Sequence, residues 1–307
     1  MSSENRQSLR IMIAQIKPRQ GDLEGNSQLI KTAYHQACAQ GAQLVIFPEM
    51  ALTGYPLDDL VLDKAFAAAC QAQLEQLCVL TSGDFNKPAL LLGAPRYAEE
   101  HCKQGKPLLP QVAARALYGR VYNSCFLIDQ GRIAGFVDKR HLPNYGVFND
   151  QRLFCAGEKS APLAFRGFAL GVMICEDFWF EAQANDLSEQ GADVLIAINA
   201  SVYSPMISQK RLRLAQAHAE RHARPCIYVN KLGAKDHMVF DGGSFALNSD
   251  KSGAPAQLVA QCPAFESAQQ TLCLIKDQTA QSSWLKSDQT MPALSAHDGA
   301  NNWAQDS

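Results

Sequence analysis

The sequence predicts a layered α/β protein with a mixed β-sheet. Short apolar runs of the kind found in buried strands alternate with longer segments whose apolar residues recur at helical spacing. The alternation is interrupted at residues 129–132, where Asp-Gln-Gly-Arg separates two strand-like runs and predicts a hairpin. Strands that alternate with helices favour parallel pairs, whereas hairpins add antiparallel ones, so the sheet is expected to be mixed and covered by helices.

The first elements predict a β-α-β unit. A strand is expected over residues 9–16, and Asn26 or Ser27 is expected to cap a helix that continues to about residue 40. Gly41 ends this helix, because glycine readily adopts the left-handed conformation found at helix C-termini. A buried strand follows over residues 44–47.

The same criteria predict the remaining elements. Further strands are expected over residues 89–93, 121–128, 133–137, 168–174, 194–198, 226–230, 245–247, 257–260 and 272–275. Further helices are expected over residues 63–80, 182–190 and 207–222. Residues 98–111 are polar and contain proline and glycine, which predicts a surface loop, and the polar residues 277–307 predict a flexible tail.

Composition excludes several classes of protein. The chain has 307 residues, an apolar content of 47% and a net charge of −2, so no basic field favours nucleic acid or an anionic membrane. No membrane-spanning run and no signal-peptide core is evident. Ten cysteines without a CxxC pair predict reduced thiols in a cytoplasmic protein. Seven dispersed histidines predict neither a metal site nor a need for a cofactor.

One cysteine lies where a nucleophile would be expected. Cys175 directly follows the predicted buried strand at 168–174, and Glu176 and Asp177 are typical of the first turn of a helix. The positive end of that helix would favour the thiolate, which is the nucleophilic form. The alternative is a buried apolar filler, which is the usual role of a free cysteine.

Two further strand ends carry reactive groups. Glu49 follows the strand at 44–47, and Lys139 follows the strand at 133–137. Ligands of α/β proteins collect at the carboxyl ends of strands, so these side chains and Cys175 can share one site. There a carboxylate takes the thiol proton and later activates water, the thiolate forms an acyl intermediate, and the ammonium stabilises the oxyanion. Taken singly, Glu49 and Lys139 would each be ordinary surface residues.

The stretches at 47–56, 138–148, 174–179 and 239–246 resemble the nitrilase, or carbon–nitrogen hydrolase, superfamily. Within it, they are most similar to the glutaminase domain of glutamine-dependent NAD synthetase. The resemblance implies a four-layer αββα sandwich, one such domain over residues 1–276, and a catalytic triad of Glu49, Lys139 and Cys175. It also implies hydrolysis of glutamine to glutamate and ammonia. Substrate-binding positions are carried over to five residues, namely Tyr145, Phe148, Asp150, Glu176 and Ser201.

The chain departs from the family pattern at three points. Asp150 stands where the family has a second glutamate, so Lys139 is expected to be held more loosely. Ile207 stands where the family has a basic residue that binds the substrate carboxylate, and Lys210 or Arg211 can substitute only if the helix start shifts. No pyrophosphate loop of an ATP-dependent synthetase occurs, and the glycine-rich stretch at 241–244 is expected to be a turn or bulge.

The sequence therefore leaves three functions open. The first is a stand-alone amidase or glutaminase, which either supplies a separate, ammonia-accepting NAD synthetase or is a truncated piece of one. The second is a nitrilase-like amidase for another small amide, and the third is a non-catalytic assembly subunit. By resemblance it is also expected to form a homo-oligomer through helices at 178–190 and 207–222, where the aromatic residues 178–180 are expected to be exposed.

Overall fold

The computed structural model describes residues 6–98, 120–249, 253–277 and 282–287. Most of the loop predicted at 98–111 lies outside these residues. The strands are β1 (Arg6–Gln15), β2 (Leu44–Ile46), β3 (Ala89–Ala98), β4 (Arg120–Asp129), β5 (Arg132–Asp138), β6 (Leu163–Phe165), β7 (Phe168–Ile174), β8 (Val194–Asn199), β9 (Cys226–Asn230), β10 (Leu232–Lys235), β11 (Met238–Asp241), β12 (Phe245–Asn248), β13 (Gln257–Gln261), β14 (Ala268–Asp277) and β15 (Ser282–Ser287). The α-helices are α1 (Leu23–Ala39), α2 (Lys64–Leu80), α3 (Asp150–Leu153), α4 (Glu181–Glu189) and α5 (Ile207–His222).

Two mixed sheets form the centre of the molecule. The first has seven strands in the order β15-β14-β1-β2-β3-β4-β5, in which β1, β2 and β3 are parallel. The second has six strands in the order β13-β12-β9-β8-β7-β6, in which β7, β8 and β9 are parallel. The predicted hairpin at 129–132 joins β4 to β5, and both of its central residues have positive φ, which Gly131 adopts without strain.

The sheets pack face to face, and helices cover their outer faces. Buried aliphatic side chains from both sheets form one continuous core, in which Ile11 and Ile46 from the first sheet meet Ile174 and Ile196 from the second. Helices α1 and α2 pack on the outer face of the first sheet, and α4 and α5 pack on that of the second. The result is the predicted αββα sandwich, which buries both faces of each parallel region.

Local differences from the predicted elements have clear causes. Helix α1 begins at Leu23, because the Asp22 carboxylate caps it by accepting from the N–H of Gly25 at 2.9 Å. Asn26, predicted as a possible cap, instead is buried and bonds the backbone of Arg19 and Leu52. The hydrogen bond of Asn26 to Leu52 therefore ties the start of α1 to the loop that follows β2.

The prediction of a flexible tail is wrong for residues 282–287. These residues form β15, which pairs with β14 in antiparallel register and buries Leu285 in the core between the sheets. The alternation of Ser, Trp, Leu and Lys in this short segment is too brief to stand out within a polar stretch. The remaining residues of the predicted tail, apart from Asp277 in β14, lie outside the described part of the chain.

No helix among the described residues is both long and apolar enough to cross a membrane.

Candidate active site

Glu49 lies at the carboxyl end of β2 and is fully buried. Its Oε1 accepts hydrogen bonds from Lys139 Nζ at 2.8 Å and from Asn123 Nδ2 at 2.7 Å. Its Oε2 accepts from the backbone N–H of Ala200 at 2.7 Å. Three donors therefore hold this carboxylate in one orientation, in a site away from water.

A glycine on the neighbouring strand permits this position of Glu49. A Cβ atom placed on Gly93 would lie 2.5 Å from Met50 N and from Pro48 O, and 2.8 Å from Glu49 Cα. The backbone of β3 thus touches the turn that carries Glu49, and only glycine fits there. Sequence reasoning missed both Gly93 and Asn123, because their roles depend on strand pairing rather than on a local motif.

Lys139 follows β5, is only 1% exposed, and lies between two carboxylates. Its Nζ donates to Glu49 and to Asp150, each at 2.8 Å. Burial alone would lower the pKa of Lys139, but attraction by Asp150 and Glu49 outweighs it and holds that pKa well above the ordinary value. The expectation that Asp150 holds Lys139 loosely is wrong, because α3 brings the shorter carboxylate to the same distance as Glu49. Tyr55 Oη donates to the other oxygen of Asp150 at 2.8 Å.

Cys175 follows β7 in the left-handed backbone conformation, with φ at 49°. A non-glycine residue in this region is strained, and such strain is concentrated at functional sites. The residue is 7% exposed, so Cys175 is almost completely buried. Residues 175–179 form a 3₁₀-helix, and the α-helix α4 begins only at Glu181.

The expectation that a helix terminus makes Cys175 a thiolate is wrong for the resting site. Burial raises the pKa of the Cys175 thiol well above its usual value, and the nearby Glu49 carboxylate raises it further. Lys139 and the Ala200 N–H lower it, but by less. Glu49 therefore lies beside a thiol that holds its proton more tightly than usual, which suits proton transfer from Cys175 to Glu49 as the first step of a reaction.

Ser201 lies just beyond the end of β8 and directly follows Ala200, whose N–H binds Glu49. Its N–H donates to Asn230 Oδ1 at 2.9 Å, and its Oγ accepts from Arg211 Nε at 3.2 Å. Arg211 also binds both oxygens of Asp241, at 2.7 and 3.0 Å, and donates to the carbonyl oxygens of Ser201 and Val202. Every N–H of this guanidinium is therefore engaged, so Arg211 is not available to bind a substrate carboxylate.

Ile207 lies at the end of this loop, where its N–H donates to the carbonyl oxygen of Ser204 at 3.0 Å. Ile207 is the first residue of α5 and precedes Arg211 by four residues, so both side chains lie on one face of the helix. Arg211 reaches Ser201 from that face. Lys210 is exposed and lies on a different face of α5. Neither Lys210 nor Arg211 thus supplies the cation that the resemblance places at position 207.

Tyr145, Phe148 and Glu176 lie together on the outer side of the cluster. Tyr145 Oη donates to both oxygens of Glu176, at 3.0 and 2.9 Å, and its ring contacts Phe148 edge-on with centroids 5.7 Å apart. Burial and the bond to Glu176 raise the pKa of Tyr145 to about 12, and the charges of Cys175 and Lys139 act on the same hydroxyl. Tyr145 is nevertheless 58% exposed, so this group forms an open mouth.

An apolar wall connects this mouth to the buried cluster. It consists of residues from four separate segments that pack in one hydrophobic group, namely Tyr55, Phe148, Val202, Met238 and Phe240. The glycine-rich stretch at 241–244 forms the predicted turn between β11 and β12, with both glycines at positive φ. The structure therefore brings all eight predicted site residues to one end of the two sheets.

The aromatic residues at 178–180 differ from the prediction. Phe178 is fully buried against Tyr228 and His218, whereas Trp179 and Phe180 are partly exposed. Phe180 stacks on the ring of His141 with centroids 3.8 Å apart, and His141 is held by Asp177 at 2.8 Å. Of the three aromatic residues at 178–180, only Trp179 and Phe180 are therefore exposed at the surface.

Comparisons with known proteins agree with this architecture. The carbon–nitrogen hydrolase family profile matches residues 10–268, and the chain belongs to that family of enzymes. A glutamine-dependent NAD(+) synthetase of Rhodobacter capsulatus is 36% identical over 259 residues, which cover 84% of this chain and 42% of that protein. One from Synechocystis sp. is 33% identical over 267 residues, covering 83% and 44%. The chain spans less than half the length of these curated relatives.

Solved structures show the same fold. The structure of glutamine-dependent NAD+ synthetase from Acinetobacter baumannii matches with a TM-score of 0.77 and 28% identity, over 94% of this chain and 49% of that one. An amidase from Nesterenkonia sp. matches with a TM-score of 0.67 and 23% identity, over 86% and 89%. The match to the amidase covers nearly the whole of that protein, whereas the match to the NAD+ synthetase covers about half of it.

Proposed function

We propose that this protein is a cysteine amidohydrolase that hydrolyses a small linear amide to a carboxylic acid and ammonia. The observation that carries the proposal is the bonded pair of Glu49 and Lys139, with Nζ and Oε1 2.8 Å apart, beside the buried thiol of Cys175. A base, an ammonium and a nucleophile in one cluster are the groups that amide cleavage needs.

The first half of the reaction forms a thioester. Glu49 takes the proton of the Cys175 thiol, and the thiolate attacks the amide carbon. The negative oxygen of the tetrahedral intermediate is stabilised by the ammonium of Lys139 and by the backbone N–H of Glu176. Protonated Glu49 gives its proton to the amide nitrogen, the carbon–nitrogen bond breaks, and ammonia leaves.

The second half regenerates the enzyme. Glu49, again ionised, takes a proton from water, and the resulting hydroxide attacks the thioester carbon. The same donors stabilise the second tetrahedral intermediate. The carbon–sulfur bond then breaks, the Cys175 sulfur recovers the proton from Glu49, and the acid leaves. Each proton taken by Glu49 is thus returned within the same half-reaction.

Glutamine is the first substrate to test, because the curated relatives are named as glutamine-dependent. One observation favours a second candidate, which is an amide without an α-carboxylate. Ile207 places an aliphatic side chain near the Ser201 loop, and Arg211 has no N–H left for a ligand. A desolvated carboxylate needs a charged partner, and neither Ile207 nor the fully engaged Arg211 can provide one, which favours a substrate with a neutral end. A non-catalytic assembly role is disfavoured, because a complete Glu–Lys–Cys cluster serves no purpose there.

The test is ammonia release from a panel of amides. Glutamine, asparagine, propionamide and butyramide are incubated with the protein, and the Cys175→Ala variant serves as the matched control. We expect at least one amide to be hydrolysed by the wild type and none by the variant. The proposal fails if no amide is turned over, or if the variant matches the wild type.

Two further proposals concern partners. We propose a homo-oligomer that packs through α4 and α5, where Trp179 and Phe180 are exposed beside the ends of these helices. We also propose that the ammonia is used by a separate NAD synthetase in the cytoplasm. Light scattering at micromolar concentration tests the first, and a monomeric mass would contradict it. Ammonia-dependent NAD formation in a mixture with a synthetase tests the second.

A further inference from the structure

Lys231 is a buried lysine at the same edge of the second sheet as Cys175. It directly follows β9, and its N–H donates to the carbonyl oxygen of Asn199 at 3.1 Å. In the register of β8 and β9, Asn199 pairs with Asn230, so Lys231 lies level with Ala200. The N–H of Ala200 binds Glu49. Adjacent strands are about 4.8 Å apart. The backbone of Lys231 therefore lies about that distance from Ala200, whose N–H binds Glu49.

The ammonium of Lys231 has an unusual set of partners. It donates to the carbonyl oxygen of Tyr55 at 2.9 Å and lies 4.1 Å from the centroid of the Phe240 ring. The side chain is only 3% exposed, and within the described chain it forms no ion pair with a carboxylate. An ammonium has three N–H groups, and a buried charge without an opposite charge beside it is unfavourable. The mechanism above leaves this cation without a role.

The charges that surround Glu49 explain why a second cation is useful there. Glu49 and Asp150 are both carboxylates, and Lys139 supplies one positive charge between them. Burial and the Glu49 carboxylate raise the pKa of the Cys175 thiol, so this residue adds no positive charge to the group. Two other ionisable groups are neutral or already paired, since Tyr55 donates its hydroxyl to Asp150, and Arg211 pairs with Asp241. Among the buried groups Glu49, Asp150 and Lys139, carboxylates therefore outnumber ammonium groups by one, and Lys231 supplies the matching buried cation.

We infer that Lys231 is a buried counter-ion that acts through Glu49 to set the proton affinity of the catalytic pair. Its positive charge stabilises the thiolate that forms when Glu49 takes the proton of the Cys175 thiol. This inference rests on the proposed function, because it assigns Lys231 a part in the same proton transfer. Lys231 is a positioning residue here, since it contacts neither the thiol nor the proposed substrate.

The environment of the lysine makes this role sensitive to pH. Burial lowers the pKa of Lys231 to about 8, and the attraction of Glu49 opposes that shift without cancelling it. Below this pH the lysine is charged, and above it the charge is lost. Amide turnover by the wild type is therefore expected to decline above about pH 8, in a range where the raised pKa of Cys175 and that of Lys139 leave both groups protonated.

The experiment compares three variants of the full chain. Lys231→Met removes the charge at nearly constant length, and Lys231→Arg keeps a charge that does not titrate below pH 12. Lys235→Met, in β10, removes a lysine that pairs with Asp236 and is the matched control. The first readout is the rate of Cys175 alkylation by iodoacetamide at pH 7, located by peptide mass mapping. The second is the pH dependence of kcat/KM for ammonia release.

We expect Lys231→Met to slow alkylation about tenfold and to move the acid limb of the kcat/KM profile upward by about one pH unit, the shift typical of a lost neighbouring charge. Lys231→Arg should retain the acid limb and lose the decline above pH 8, and Lys235→Met should match the wild type. A purely structural lysine would lower kcat at every pH without moving either limb.

Alkylation does not require amide turnover, so it tests Lys231 even if the proposed substrate class is wrong. The inference is overturned if Lys231→Met alkylates within about twofold of the wild type, since a lost neighbouring charge should change reactivity more. If that variant does not fold, an unchanged alkaline limb in Lys231→Arg overturns it. The absence of any alkaline decline near pH 8 in an active wild type overturns it as well.

Discussion

The buried cluster around Cys175 and the open mouth beside it are built in opposite ways. Glu49, Lys139 and Asp150 are almost completely buried, and each makes at least two hydrogen bonds or ion pairs within the protein. At the mouth, Tyr145 is mostly exposed, and Met206, beside the Ser201 loop, is 60% exposed. The cluster is therefore preorganised, whereas the mouth is largely open to solvent.

This difference suggests that the buried cluster sets the rate of reaction and that the mouth sets the choice of substrate. A buried, fully bonded cluster holds the reacting groups in place before the substrate arrives, and such preorganisation is the main source of electrostatic catalysis. An exposed mouth with few internal bonds can change its preferences by single substitutions. Changes in the cluster should therefore affect all amides alike, and changes at the mouth should affect amides selectively.

Replacement of Cys175, the proposed nucleophile, should have the largest effect. Cys175→Ala should reduce amide hydrolysis at least about 10³-fold, because the acyl intermediate can no longer form. The loss should be equal for every amide that the wild type accepts. Thermal unfolding should be nearly unchanged, since a small residue replaces a small one. Residual activity within about tenfold of wild type, or about 1.4 kcal/mol in the barrier, would contradict the assignment.

A change next to Glu49 should be nearly as damaging without touching a reacting group. Gly93→Ala forces a methyl group against the backbone of residues 48–50, so Glu49 must shift. A displacement of about 1 Å in a catalytic group can reduce the rate about 10²-fold. Gly135→Ala in β5 is the control, because its Cβ would meet only the tip of the Leu163 side chain. Equal activity of the two variants would show that Glu49 does not need this position.

The second carboxylate beside Lys139 should matter for both stability and rate. Asp150→Asn removes the charge that Lys139 binds at 2.8 Å, which should cost about 1.5–3 kcal/mol of unfolding free energy. The pKa of Lys139 should fall, because one of the two charges that raise it is lost. Turnover of all amides should decline together. Urea unfolding and a panel of amides test this, and a loss limited to one substrate would count against it.

Position 207 should affect only substrates with a carboxylate. Ile207→Lys places a cation near the Ser201 loop, where a charge-assisted hydrogen bond is worth about 1.5–3 kcal/mol. The kcat/KM for glutamine should rise about tenfold or more, whereas that for butyramide should not rise. Ile207→Met is the uncharged control. A similar response of the two substrates to lysine would mean that residue 207 does not face the carboxylate.

The smallest effect is expected at the edge of the mouth. Tyr145→Phe removes the hydroxyl that binds both oxygens of Glu176, which should cost about 0.5–1.5 kcal/mol, or roughly a 2- to 13-fold change in KM. The value of kcat should change little, because Tyr145 touches no reacting group of the proposed mechanism. Steady-state kinetics with the best amide measures both constants. A loss in kcat larger than that in KM would place Tyr145 within the buried cluster instead.

The sequence predicted the cluster better than the mouth, for a physical reason. Glu49, Lys139 and Cys175 each follow a buried strand, and strand ends in α/β proteins converge, so local pattern and topology together located them. The engagement of Arg211 by Asp241 joins residues 30 positions apart and leaves no local signal. The burial of Lys231 beside Tyr55 joins residues 176 positions apart.

The fold shows the same division. Most strand positions followed from apolar periodicity. The αββα sandwich followed from the resemblance to the family. Edge strand β15 and the capping role of Asp22 did not, because a short polar strand is defined by its neighbour β14 and a cap by the geometry of one turn. The protonated state of Cys175 also depends on burial, which the sequence alone does not specify.

The most direct test of the central claim is a rapid acid quench of the wild-type protein with its best amide. Mass mapping of the quenched protein should find the acyl group as a thioester on the peptide that contains Cys175. The adduct should form at the same rate as the first equivalent of ammonia. Release of ammonia without an adduct, or an adduct on another residue, would contradict the account of Cys175 as the nucleophile.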